Sequence, residues 1–154
     1  MTAMASERPN PSAARTRTPT VSPTWLRGLA AGLIGGLGAG VFLTLTAPTV
    51  LSETFSALLW ASGTAVGWLV LVTASAAAGI LFSTAVGRQA LSTTVVLGIG
   101  YSVALWLVAA VALPAWLGAV GATAPPFPWL DPTLLAGLAL YGIVLGVGHW
   151  LFGR

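Results

Sequence analysis

The sequence predicts an all-α fold: a four-helix transmembrane bundle made of two helical hairpins, with a short interfacial helix beside it. Three observations predict this. Four apolar stretches each approach the ~20 residues that cross ~30 Å of hydrocarbon. None of the four carries a charge or a proline in its interior. Six arginines gather at one end of the stretches, while Glu53 and Asp131 fall at the other. Composition agrees, because only 6% of the 154 residues are charged and 56% are hydrophobic. A water-facing surface needs roughly a quarter of its residues charged, so lipid must be the main solvent.

Residues 1–24 hold Pro9, Pro11, Pro19 and Pro23 and show no apolar period. Proline interrupts helices, and this composition reads as a disordered cytoplasmic tail. The membrane domain is then 25–154, with spans at about 27–47, 63–86, 91–113 and 132–152. The first runs from Arg27 to Ala47 and stops at Pro48. Its apolar run exceeds the 7–15 residues of a signal-peptide core, and Pro48 spoils the best cleavage context, so it reads as a retained helix. Between the first two spans, Val50, Leu51, Phe55, Leu58 and Leu59 recur at helical spacing with Ser52, Glu53 and Ser56 on other faces. That pattern predicts a short amphipathic helix lying in the interface.

The second span runs from Gly63 to Val86, and the third from Leu91 to Leu113, where Pro114 ends it. The Pro-rich loop through Pro125, Pro126 and Pro128 is expected to be stiff and extended. The fourth span, Pro132 to Phe152, starts with Asp131 as N-cap and Pro132 at the first helical position. One charge at mid-helix costs roughly 2.5–3.5 kcal/mol on insertion scales, so all four spans insert without help.

With four spans, Arg8, Arg15, Arg17, Arg27, Arg88 and Arg154 share one side, which the positive-inside rule assigns to the cytoplasm. The expected location is the cell membrane, multi-pass, with the N-terminus and C-terminus both cytoplasmic. Trp25 and Trp150 mark the inner interface, and Trp60, Trp116 and Trp129 the outer one. Trp106 falls within a span, where interface anchoring does not explain it. Shifting the chain on itself sets Gly32 over Gly98 and Pro48 over Pro114, which hints at a parallel duplication of one hairpin.

Gly28, Gly32, Gly36 and Gly40 repeat at every fourth residue of the first span. Each glycine costs up to ~1 kcal/mol against alanine in a helix, so four on one face need an offset. Close approach of another helix supplies one. Gly63, Gly67 and Gly79 echo the stripe in the second span, and Gly142 and Gly146 in the fourth. The stripe serves either packing within one chain or self-association, and the sequence does not choose between them. A second feature is a set of hydroxyls near mid-depth: Thr73, Ser75, Tyr101, Ser102 and Tyr141. Such a layer either lines a path or joins helices by hydrogen bonds worth ~0.6 kcal/mol each.

Several chemistries are excluded or disfavoured. There is no cysteine, hence no disulfide and no thiolate chemistry. His149 is the single histidine, at the inner interface, with Glu53 and Asp131 some ~30 Å away across the bilayer. A His–carboxylate catalytic pair within one chain is therefore not expected, nor is a metal or other cofactor. No phosphate loop or dinucleotide fingerprint is present. Six arginines spread along the chain do not make a nucleic-acid surface.

The segment Gly100-Tyr101, Leu105-Trp106 and Leu113-Pro114-Ala115-Trp116-Leu117, with Asp131-Pro132 and Tyr141-Gly142, resembles small four-helix integral membrane proteins of haloarchaea that are uncharacterised. The resemblance covers about the last third of the chain and implies the fold without an activity. A histidine often sits shortly before the Tyr-Gly pair in those proteins, and Leu138 stands there here. The expected function is that of a non-enzymatic accessory or scaffolding subunit, whose partners are membrane lipid and other transmembrane helices, in a homo-oligomer or a larger complex. The competing expectation is a small oligomeric channel or carrier for a neutral solute.

Overall fold

A computed structural model describes residues 23–154, so the tail expectation falls almost wholly outside the described residues. Four long helices follow in order: α1 (Thr24–Thr46), α2 (Thr64–Ala85), α3 (Leu91–Ala119) and α4 (Pro132–Phe152). All four are long and apolar enough to cross a membrane. A short π-helix, Val50–Phe55, lies between α1 and α2.

Local chemistry explains most boundaries. Pro23 immediately precedes α1, and α1 ends one residue before the Ala47-Pro48 pair, since proline denies its predecessor the helical region. Asp131 caps α4: its Oδ1 accepts from Thr133 N at 2.7 Å and from Leu134 N at 3.3 Å, with Pro132 at the first position.

The third span departs from expectation. Rather than stopping at Leu113, α3 continues through Pro114 to Ala119, 29 residues in all. A proline inside a helix leaves the carbonyl four residues back without its donor. That carbonyl belongs to Ala110, and the backbone N–H of Trp129 fills it at 2.9 Å. The loop before α4 thus repairs the helix that Pro114 interrupts. Trp106 belongs to the same arrangement, its Nε1 donating to the Asp131 carbonyl at 3.1 Å. Trp129 is buried, packed with Leu43, Leu51 and Leu134, so it is a core residue and not an interface anchor.

Viewed across the bundle, α1 and α4 lie side by side at the centre, α2 packs on α1, and α3 packs on α4. The ring is left open between α2 and α3, which scarcely touch. The two hairpins are consequently not equivalent: α1 has an extensive helix neighbour on two sides, α3 on one. Arg27, Arg88 and Arg154 converge at one end of the bundle, here the arginine end. Glu53 and Asp131, on the short helix and at the start of α4 respectively, define the acidic end.

Candidate functional site

The glycine stripe of α1 faces α2 within the same chain. A side chain at Gly28 would run into Ser83 and the Gly79 carbonyl, and one at Gly32 into the Ser75 carbonyl and the Gly79 Cα. Gly36 lies against the Ser75 side chain, and Gly40 beneath the Trp68 ring. Gly79 answers from α2, against Gly28 and Gly32. The α3–α4 seam is built alike, with Gly142 on Gly98 and Ser102, and Gly146 on the backbone of Thr94 and Val95. These seams put backbone against backbone, which any Cβ would prevent.

Two glycines behave differently. Gly67 seats the Leu51 backbone of the short helix, which is what an added Cβ there would meet first. That helix is docked on α2, with Val50 and Leu51 buried, rather than resting on lipid alone. A side chain at Gly63 would meet no atom within 4 Å, while its N–H donates to the Ser52 carbonyl at 3.1 Å. Its φ of +111° is a backbone state that residues with a Cβ rarely adopt, so the turn into α2 is what requires glycine there.

The hydroxyl layer is not assembled into a path. Thr73 lies on the exposed face of α2. Ser75 is buried between α1 and α2, and Ser102 between α3 and α4 against Gly142. Ser102 Oγ is buried without a hydrogen-bond partner among the described residues. Tyr141 does something more specific. Its ring leaves α4, passes over Gly35 of α1, and donates its hydroxyl to the Ser75 carbonyl of α2 at 2.8 Å. One side chain thereby ties three helices, and it fits because Gly35 has no Cβ. Tyr101 donates from α3 to the Ala78 carbonyl of α2 at 3.0 Å, its ring 5.5 Å from that of Phe82.

Those Tyr101 contacts close the gap between α2 and α3 on the arginine side. Toward the acidic end the gap stays open as an apolar groove of about 300 Å³. Its walls are Val70, Ala74 and Ala78 of α2 and Leu105, Ala109 and Ala112 of α3; its floor is Leu134, Leu138 and Tyr141 of α4. Phe55 and Leu58 reach in from the short helix and the turn after it. Beyond them Trp60 meets Trp116 edge to face at 6.3 Å between centroids. The groove is therefore bounded at both ends and opens sideways. From Val70 to Ala78 it follows α2 for eight residues, about 12 Å. Sequence reading missed it, because its wall residues are ordinary alanines and leucines whose register across α2 and α3 depends on how those helices are held.

A second concave feature lies at the arginine end, where the connection from Val86 to Gln89 joins the two ends of α1 and α4 around Arg27, His149 and Trp150. At the opposite end of α4, Asp131 stands 18 residues from His149, about 27 Å along a helix. No family, curated protein or solved structure matches this chain. What the chain is thus follows from its own geometry: a multi-pass helical bundle of the membrane, with a lateral groove between α2 and α3.

Proposed function

We infer that this protein is a non-enzymatic accessory subunit of a membrane assembly, and that a partner's apolar helix seats in the groove between α2 and α3. The observation that carries the reading is the contrast among the seams. Three helix pairs are closed by intimate contact within the chain, and the fourth is left open, with small residues on both walls. Ala74 and Ala78 on one side and Ala109 and Ala112 on the other admit the side chains of a crossing helix. A 12 Å groove matches about two turns of such a helix. Among the described residues, the distance of Glu53 and Asp131 from His149 supports a role without catalysis, because general acid–base work needs groups within hydrogen-bond reach. The groove is apolar, and the hydroxyls of Tyr141 in its floor and Tyr101 beyond its end already donate to backbone carbonyls, which leaves no polar lane for a solute. By the positive-inside rule, the arginine end faces the cytoplasm.

Site-specific photocrosslinking in native membranes tests this. A photoreactive residue at Ala109, inside the groove, is expected to trap one partner of defined mass. The same residue at Val96, on the lipid-facing side of α3, is expected to trap none. Ala109→Trp fills the groove and should release the partner while the fold survives. A monodisperse monomer that crosslinks to no protein from either position would end the proposal.

A further inference from the structure

We propose that the cleft at the arginine end binds the phosphate of an anionic phospholipid headgroup. The cleft measures about 460 Å³ and draws a cation from each of three separate elements: Arg27 from α1, Arg88 from the α2–α3 connection, and Arg154 from beyond α4. The positive-inside rule accounts for arginines on one side of the membrane, but not for their convergence on one hollow. Both acidic side chains among the described residues, Glu53 and Asp131, lie at the other end of the bundle.

Two features show that the cleft is shaped and not merely charged. Arg154 stacks its guanidinium carbon 3.5 Å over the centre of the Trp150 ring, which holds the cation in place. His149 lines the same cleft while only 6% exposed, wedged edge-on against Phe82 at 5.6 Å. Its Nδ1 is buried without a hydrogen bond among the described residues, while the same ring interacts with the Val86 and Gly87 backbone of the α2–α3 connection. An acceptor oxygen arriving in the cleft would meet planar guanidinium donors, which recognise phosphate in a forked geometry.

The rim argues for a lipid source over a free anion. Trp25, Leu26, Leu151 and Phe152 are exposed around the same end of the bundle. Hydrocarbon therefore reaches the edge of the cleft, and a headgroup held there keeps its acyl chains in their own leaflet. This proposal is independent of the groove between α2 and α3.

The full chain, purified in a neutral maltoside detergent, would be titrated with phosphatidylglycerol, phosphatidylcholine and inorganic phosphate and read by native mass spectrometry. One phosphatidylglycerol should be retained, at least tenfold more tightly than phosphatidylcholine, since tenfold is about the scale of one charge-assisted hydrogen bond. Arg88 and Arg154 are exposed, so Arg88→Gln with Arg154→Gln leaves the packing intact; each substitution should weaken retention roughly tenfold. His149→Phe keeps the ring contact with Phe82 and should weaken retention severalfold. Equal retention of the two lipids, or retention unaffected by the double arginine variant, would overturn the proposal. So would inorganic phosphate at millimolar concentration displacing the lipid and binding equally well in its place, because the ligand would then be a free anion.

Discussion

The seam between α1 and α2 and the gap between α2 and α3 join the same helix to two neighbours, with opposite outcomes. Along the first, Gly28, Gly32 and Gly79 bring backbones into contact. Along the second, Tyr101 makes a bridge at one end and a groove follows. Apolarity does not explain the difference. α2 and α3 are both more apolar than α1, yet 28% and 17% of their apolar windows are buried, against 44% for α1. In water that order would be reversed. In a bilayer the tails are as apolar as leucine, so greasy faces gain nothing by meeting each other. Helices close where glycines let backbone meet backbone, and they stay apart along α2 and α3, where alanines line both walls. The glycines of α3 show this within one element: Gly98 is pressed on Gly142, while Gly100 and Gly118 have no neighbour within 4 Å of an added Cβ.

The sharpest way to break the comparison is Gly79→Val. The new branches would enter the backbone of Gly28 and Gly32, and we expect a loss of about 3 kcal/mol, the upper range for overpacking. Unfolding in mixed micelles followed by far-ultraviolet circular dichroism would measure it. A smaller loss, about 1 kcal/mol by the same assay, is expected for Asp131→Ala, which removes the cap of α4. Tyr141→Phe deletes one interhelical hydrogen bond and should cost roughly 0.6 kcal/mol, the membrane average. Its amide-exchange signature is more telling, with faster exchange expected in α1, α2 and α4 together. Gly100→Ala closes the series with no loss: the methyl meets open space, and helix propensity should raise stability by up to about 1 kcal/mol. A large loss at Gly100 with none at Gly79 would invert the account of the two seams.

Much of the fold was legible because its causes are local. The ~20-residue hydrophobic length, the Asp131-Pro132 start and the Ala47-Pro48 stop each act within a few residues. The end of α3 was not legible. Pro114 reads as a stop until the Trp129 N–H, fifteen residues on, takes up the Ala110 carbonyl. Trp106 was puzzling as a span residue and is explained by the Asp131 carbonyl, which sequence spacing does not place beside it. The candidate sites divide in the same way. The glycine stripe announced close packing, but its partner, α2 of the same chain, required the contacts to be seen. The hydroxyls at mid-depth shared a height in the membrane without sharing a face. Their helical phases send Thr73 outward and Ser102 toward α4.

By itself, the sequence determined the solvent, the number of spans and the gathering of cations at one end, since each follows from transfer energies that depend on residue type and order along the chain. Tertiary structure alone decided which seam closes, that Tyr141 crosses Gly35 to reach Ser75, and that three arginines share one hollow. Those are outcomes of rotation and tilt among helices whose outer surfaces are all alike in lipid. Nothing in hydropathy fixes rotation; only the fit of one backbone against another does.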